Sequence, residues 1–411
     1  MPLQAGRRGA AVGRNASLKP EGLEGLPELP RAPTRLERPA RVDPGRWVGV
    51  RHVLCVRLDT IGDVLMTGPA IRALGQRARV TLLTSPAGAA VAELMPEVDE
   101  TIVHAAPWMK APPTGALQAA LGEPELELIE RLRGYRFDAA AIFTVYSQSA
   151  LPAALFCLLA GIPLRLAHSR ENPYALLSDW VPEPEPQRLV RHEVQRQLDL
   201  VAAVGVRTAN DDLSLDLPAQ ARARAAALLR QSGVHDERWV AVHAGASAPA
   251  RIYPPELMAE ACRILEREHG LTLVLTGDEH DRAVVEEVMA RVGPGCVSLV
   301  GALDLAELAA VIEAAPVLLC GNTGPAHLAA AASTPVVDLY ALTNPQHTPW
   351  RVRSAVLYRD VPCRWCYSSV CPERHHTCLR GIEPAAIARA VMGLVAQQPS
   401  AAASLGSQVS G

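Results

Sequence analysis

The chain has 411 residues, of which 49% are hydrophobic, 4% aromatic and 20% charged, as suits a soluble protein of two or three domains with a sizeable core. Forty basic and forty-three acidic side chains leave a formal net charge of −3, so the overall cationic field that usually draws nucleic acid is missing, and no nucleic-acid partner is expected. The longest apolar passage, Ala150 to Ile162, is shorter than the roughly 18–20 residues of a spanning helix, and the start of the chain carries no signal-peptide hydrophobic run. A cytoplasmic protein is the expectation.

Residues 1–45 are rich in Pro, Gly and Arg and read as a disordered, mildly basic tail. From residue 52 short apolar runs alternate with amphipathic stretches of ten or more residues, the pattern of βα units around parallel sheets. Strands are expected at Val53–Arg57, Val80–Thr84, Thr101–His104 and Ala139–Phe143, with helices at Val64–Leu74 and Gln148–Ala160, the latter ended by Gly161. Pro182, Pro184 and Pro186 then interrupt any regular element. These limits give an N-terminal α/β domain over 46–190 and an interdomain helix or linker over 191–210. Over 211–411 a second domain of the same class follows, with helices near Ala219–Leu229, Glu256–Glu268, Ala283–Val292 and Pro325–Ala332 and strands at Trp239–His243, Leu271–Thr276, Val317–Cys320 and Pro335–Leu339. Two such domains in tandem turn their strand ends toward a common cleft, where ligands bind in open α/β folds.

Three loops carry chemistry. The first runs from Val53 to Pro69 through Arg57, Asp59, Thr60, Gly62 and Asp63, a strand leading into a helix. Gly62 allows a turn or a close approach that a side chain would prevent. Asp63 at the junction either caps the helix or acts as a general base on a substrate hydroxyl. The segment lacks both G-x-G-x-x-G and G-x-x-x-x-G-K-[ST], so it is neither a dinucleotide fingerprint nor a Walker loop. The second is Cys320-Gly-Asn-Thr-Gly-Pro-Ala-His-Leu, where Thr323 precedes a helix whose first amides suit a phosphate or diphosphate, and His327 lies about one turn in. The third comprises His243-Ala-Gly-Ala-Ser-Ala with Arg251, able to answer a phosphate, and Thr276-Gly-Asp-Glu, where Glu279 either accepts ribose or base hydrogens or sits in an ordinary helical turn.

Over about residues 52–396 the chain resembles the glycosyltransferase family of bacterial ADP-heptose:lipopolysaccharide heptosyltransferases, family 9. The likeness rests on the Arg57–Pro69 segment, His192-Glu-Val-Gln-Arg-Gln, the His243–Arg251 loop, Gly277 and Glu279, Asn322-Thr-Gly-Pro-Ala-His327, and Thr343-Asn-Pro. It implies a GT-B fold, two Rossmann-like domains facing a central cleft, with the acceptor on the N-terminal and the nucleotide sugar on the C-terminal side. It further implies an inverting, metal-independent transfer from a nucleotide sugar, ADP-heptose first, to a lipopolysaccharide or other surface glycan. By resemblance Asp63 matches the catalytic base; Arg251, Asn322, Thr323, Gly324 and His327 match the donor diphosphate region; Glu279 matches the residue near the nucleoside. Arg57, Thr60 and Gly62 fall on the acceptor side. Asn322 stands where the family often has aspartate. A transferase using another nucleotide sugar, or a non-catalytic glycan-binding relative, is the alternative. A lipid-linked acceptor would bring the chain to the inner face of the cytoplasmic membrane, with the basic tail or the 150–162 stretch as the contact.

Five cysteines, at 55, 157, 262, 296 and 320, lie mostly in apolar runs and read as small hydrophobes. The other four form Cys363-x2-Cys366-x4-Cys371-x6-Cys378, with His375 and His376 nearby. Thiols at such short spacing, without a secretion signal, favour a structural zinc site over disulfides, with an iron–sulfur cluster as the alternative. No cofactor is expected for catalysis itself.

Overall fold

The computed structural model describes residues 41–109, 122–235 and 238–397. All but the last five residues of the N-terminal tail lie outside that range. The described chain folds as two parallel sheets, each flanked by helices.

The first lobe contains β1 (His52–Arg57), α1 (Ile61–Gly75), β2 (Arg79–Thr84), α2 (Pro86–Ala92), β3 (Glu100–Val103), α3 (Glu123–Tyr135), β4 (Ala139–Ile142), α4 (Leu151–Leu159), β5 (Leu164–Ser169), β6 (Asp179–Pro182) and α5 (Glu193–Ala202). The second contains α6 (Ala219–Gln231), β7 (Trp239–His243), α7 (Pro255–His269), β8 (Thr272–Thr276), α8 (Arg282–Val292), β9 (Cys296–Ser298), α9 (Leu305–Ala314), β10 (Leu318–Gly321), α10 (Gly324–Ala331), β11 (Val336–Leu339), β12 (Ser354–Leu357), α11 (Thr377–Arg380) and α12 (Pro384–Val395). Strand order is β3-β2-β1-β4-β5-β6 in one sheet and β12-β11-β10-β7-β8-β9 in the other, and every pair is parallel. The two orders are the same doubly wound pattern. Each reverses once, between β1 and β4 and between β7 and β10, and these reversals are where an open parallel sheet leaves a crevice at its strand ends.

Sequence explains the layering. The central strands are apolar on both faces, as strands covered by helices on two sides must be; β1, β4, β7 and β10 are buried almost throughout. Cys55, Cys157, Cys262, Cys296 and Cys320 are all buried, in keeping with their reading as small hydrophobes. The helix expected at Gln148–Ala160 begins later, at Leu151, because Pro152 suits a first helical turn; residues 148–150 stay in the loop above β4.

The lobes meet along α1 and α10. A Cβ on Gly62 would stand 2.5 Å from the His327 ring, so glycine is required there by close approach across the seam and not by a special turn. Gly324 faces Ile61 in the same contact. Beside it Met66, Val194, Leu213, Ala330 and Trp350 form a small buried cluster, and Trp350 lies 4.5 Å from the His192 ring. An aromatic side chain buried this fully stabilises the seam by roughly 1.5–3 kcal/mol. Helix α5 packs on α1, yet its first turn is tied to the second lobe: His192 Nε2 donates to the Thr348 carbonyl at 2.8 Å and the Glu193 amide to the Gln346 carbonyl at 3.0 Å.

Replacing Gly62 with alanine should force His327 or α10 to shift and lower stability by about 1–3 kcal/mol. Urea unfolding midpoints of the two proteins check this; equal midpoints would refute the close-contact account.

Candidate active site

The switch points of the two sheets face each other across the seam, and four loops converge there. From the first lobe come the β1–α1 turn and the stretch after β4. From the second come the segment after β7, ending in a short turn at Pro249–Arg251, and the β10–α10 turn.

Arg57, the last residue of β1, is fully buried and is faced by three carboxylates. Its Nε lies 2.9 Å from Asp59, Nη1 2.9 Å from Glu193 of α5, and Nη2 3.2 Å from Asp63. Glu193 also accepts from Gln197 Nε2 at 2.6 Å, and Asp59 from Gln148 Nε2 at 2.6 Å. The guanidinium fork imposes geometry as well as charge on its partners. Arg57 thus lies beneath the cleft and holds the carboxylates, while Thr60 and Asp63 stand at its floor.

Asp63 is the third residue of α1 and Thr60 the N-cap. The Asp63 carboxylate accepts from the Thr60 hydroxyl at 2.9 Å and its amide at 3.4 Å, half of a capping box. Capping and chemistry therefore coexist in one group. Burial opposes the charged form of Asp63, but Arg57, His347 and the Thr60 hydroxyl outweigh it and hold the carboxyl below the usual range. Asp59 goes the other way: burial pushes it up, with Arg57 only partly compensating. Burial favours the neutral form of the neighbouring imidazoles, forcing His327 down to about 3 and His192 to about 4.

On the second lobe Arg251 Nη2 donates to Asn344 Oδ1 at 3.1 Å and Nη1 reaches the Asn322 carbonyl at 3.5 Å. Thr323 occupies the N-cap position of α10, but its hydroxyl donates back to the Gly321 carbonyl at 3.3 Å and caps nothing, leaving the helix start without a side-chain cap. Asn322 is buried, and its amide is engaged in both directions by Ala341, donating to the carbonyl at 3.4 Å and accepting from the amide at 3.1 Å. Glu279 sits apart at an exposed rim, paired with Arg282. Nearer the β7 and β8 ends stands Asp281, which packs over Gly245 and Gly277 so closely that a Cβ on either would collide with it. Within the run Gly277-Asp-Glu-His-Asp281 it is thus Asp281, and not Glu279, that lies against the strand ends.

A polar pocket of about 130 Å³ opens above β4 and β5, lined by Tyr146, Gln148, Ser149, Ser169, Arg170 and Glu171 among others. Gln148 joins it to Asp59. Tyr146 stacks edge-on against Tyr367, with the hydroxyls in contact, so the cysteine-rich segment of the second lobe touches the wall of a first-lobe pocket. That segment also braces the loop after β11, the Trp365 backbone N–H donating to the Leu342 carbonyl at 2.7 Å and the Tyr367 backbone N–H to the Thr343 carbonyl at 2.8 Å. Cys363, Cys366, Cys371 and Cys378 are half-buried free thiols. Cys363 Sγ lies 3.5 Å from His375 Nε2, but no group of three or more metal ligands is assembled among the described residues.

The site is therefore a two-lobed cleft with a held carboxylate on one side and an arginine beside a helix start on the other, the layout of a group transfer between a hydroxyl and a phosphorylated donor. Comparison with known proteins agrees. The family model for glycosyltransferase family 9 (heptosyltransferase) matches residues 126–377, and the chain belongs to that family of glycosyltransferases. Lipopolysaccharide heptosyltransferase 2 of Escherichia coli K12 is 27% identical over 317 residues, 72% of this chain and 84% of the relative. Among solved structures, Escherichia coli ADP-heptose LPS heptosyltransferase II superposes with a TM-score of 0.65 at 25% identity, covering 84% of this chain and 99% of that one. A family 9 glycosyltransferase from Veillonella parvula superposes with a TM-score of 0.69 at 19% identity, covering 85% and 98%.

Two buried neutral histidines make stability pH-dependent. In the unfolded chain both titrate near 6.5, whereas in the fold His192 and His327 resist protonation until about 4 and 3. Their contribution is complete above pH 6.5 and is lost as pH falls toward those values, roughly 2–5 kcal/mol between pH 7 and pH 4.5. Urea midpoints across that range should fall for the wild type and fall less for His327→Gln.

Proposed function

We propose that the protein transfers heptose from ADP-heptose to a lipopolysaccharide or related surface glycan with inversion at the anomeric carbon. The observation that carries this is the juxtaposition of Asp63 with the Arg251 and α10 side of the cleft, within a family 9 chain whose relatives named above are heptosyltransferases.

The donor diphosphate would lie against the start of α10 at Thr323 and Gly324, whose amides and helix dipole favour an anion, with Arg251 alongside. As the bond from anomeric carbon to phosphate oxygen breaks, its electron pair leaves on ADP, and these groups stabilise the growing charge. The leaving group needs no protonation by a second carboxyl, unlike the alcohol expelled in glycoside hydrolysis. The acceptor oxygen attacks from the opposite face and its proton passes to the Asp63 carboxylate. Held ionised by Arg57, Asp63 is a weak base. It therefore takes the proton late, once partial bonding to the anomeric carbon has made the acceptor hydroxyl strongly acidic. The hydroxyl- and amide-lined pocket beside Gln148 suits the polar rim of a sugar acceptor.

Asp63→Asn keeps the size and the helix-start contact but removes the base. Transfer from ADP-heptose should fall by about 100-fold or more while ADP affinity stays close to wild type; urea stability should drop modestly, because the ionised carboxylate paired with Arg57 also stabilises the fold. Mass and linkage analysis of the wild-type product tests donor, acceptor and stereochemistry together; near-normal turnover by the variant would remove Asp63 from the mechanism.

We propose further that transfer takes place at the inner face of the cytoplasmic membrane. No helix among the described residues is long and apolar enough to cross a bilayer, while α4 exposes Leu155, Leu158 and Leu159 on its outer face. The cysteine-rich segment is read as a structural zinc site, with iron–sulfur as the alternative. Its four soft donors and His375 are of the right chemistry: Cys363 contacts His375, while Cys366 and Cys371 lie near enough to Cys363 to oppose its ionisation, and Cys363 and Cys371 do the same to Cys378. Anaerobically purified protein should contain about one equivalent of metal, and a chelator should lower its melting temperature. Metal-free protein of unchanged stability would end that reading.

A further inference from the structure

His347 lies in the loop after β11 and comes from the second lobe to the first-lobe carboxylate. Its Nε2 is buried, has no hydrogen-bond partner and stands 3.8 Å from Asp63 Oδ1. Which form of the ring faces Asp63 follows from its other contacts. Arg251 is only a donor, so the Asn344 atom facing it at 3.1 Å must be the accepting Oδ1, and the Thr343 hydroxyl, able to donate or accept, then donates to the same oxygen at 2.6 Å. That fixes the amide. Asn344 Nδ2 must then donate to His347 Nδ1, at 2.8 Å, which makes Nδ1 the acceptor and places the proton of the neutral ring on Nε2, facing Asp63.

The loop itself is pinned. The buried Tyr340 hydroxyl donates to the Asn344 carbonyl at 2.7 Å and accepts the His347 amide at 3.3 Å, so ring and amide are held as a unit on β11. Around the ring stand Asp63 and Glu193, which favour its charged form, and Arg251 and Arg57, which oppose it, with the neutral rings of His192 and His327 beside them; burial is the largest influence and keeps it neutral. A neutral ring with its N–H outward is a fixed donor. The gap to Asp63 exceeds an ordinary hydrogen bond by about 0.8–1 Å, a distance that a small lobe closure would cover.

We propose that His347 is a positioning residue for Asp63, and that the chain Arg251–Asn344–His347–Asp63 mechanically links the diphosphate side of the cleft to the base, completing its last hydrogen bond when the lobes close. The inference rests on the reading of Asp63 as base and Arg251 as diphosphate partner. It names a donor held in place, not a proton carrier: with Nε2 already protonated, the ring has no lone pair to offer Asp63.

The test uses full-length protein saturated with ADP, the state in which the diphosphate side is filled and the last hydrogen bond is complete, carrying 13C-labelled aspartate, the Asp63 carboxyl signal being assigned with Asp63→Asn. Losing the donor should raise the Asp63 midpoint by about half a pH unit or more in His347→Phe, whereas His347→Gln, which keeps an N–H, should stay closer to wild type. Long-range 1H–15N correlation should show His347 in the Nε2–H form. In the transfer assay His347→Phe should lose about tenfold in kcat, recovered in part by glutamine, with ADP affinity within twofold of wild type. An Nδ1–H tautomer, an unmoved Asp63 midpoint in the phenylalanine variant, or glutamine no better than phenylalanine would each overturn the proposal. The spectroscopic arms need no turnover, so an inactive or differently specific enzyme would count against the transfer reading and leave this one to be judged on its own.

Discussion

One buried guanidinium organises the catalytic side of this molecule. Arg57 ends a central strand with no access to solvent and is met by carboxylates from its own loop, from the first turn of α1 and from α5. A charge so placed is tolerable only when paired on every face, and removing it would leave several buried carboxylates uncompensated. It therefore constrains where β1, α1 and α5 can lie. Because α5 begins at residues tied to the 346–348 loop of the other lobe, the same constraint reaches across the seam. The carboxylate proposed to do chemistry is one of three that the arginine positions.

That arrangement separates two properties a single aspartate could not combine alone. Three acids around one cation are short of positive charge, and their environments pull them apart: burial drives Asp59 toward its neutral form, while contacts with Arg57, His347 and Thr60 keep Asp63 ionised. Asp59 is occupied by Arg57 and Gln148, which makes it part of the support. Asp63 retains partial exposure and faces the seam. An ionised but weakly basic group suits a reaction in which the nucleophile's acidity rises as its new bond forms.

Much of this was legible in the sequence, and the exceptions have physical causes. The alternation of apolar runs with amphipathic stretches gave both parallel sheets, since central strands covered on two faces cannot be other than apolar. Strands β5 and β6 were not seen. In β5 a buried Arg165 interrupts the apolar run, its charge satisfied by the carbonyls of Leu176 and Ala175, and no local pattern signals such contacts. In β6 four residues ending in Pro182 look like a breaker. Asp63 and the Thr323–Gly324 turn were found because each sits at a strand-to-helix junction. Glu193 and His347 gain their meaning only from tertiary contact: one lies in an ordinary amphipathic helix, and the other is a lone histidine in a loop. Gly62 read as a place for either a special turn or a close approach; it is the close approach, to His327, 265 positions away and beyond any local pattern.

The two asparagines on the donor side complete the electrostatic logic. Asn322 and Asn344 each use both ends of the amide, one clasping the Ala341 backbone and the other joining Arg251 to His347. A carboxylate at either place could accept but not donate, so it would lose the Ala341 carbonyl in the first case and His347 Nδ1 in the second. It would also add negative charge beside Arg251 and the proposed diphosphate site, a charge that the family accommodates where it has aspartate at 322 and that this chain does without. An amide gives direction without charge. The groups opposite the first lobe's carboxylates are a cation, neutral rings and neutral amides, and this asymmetry across the seam suits the proposed sharing of one cleft by a base and an anionic leaving group.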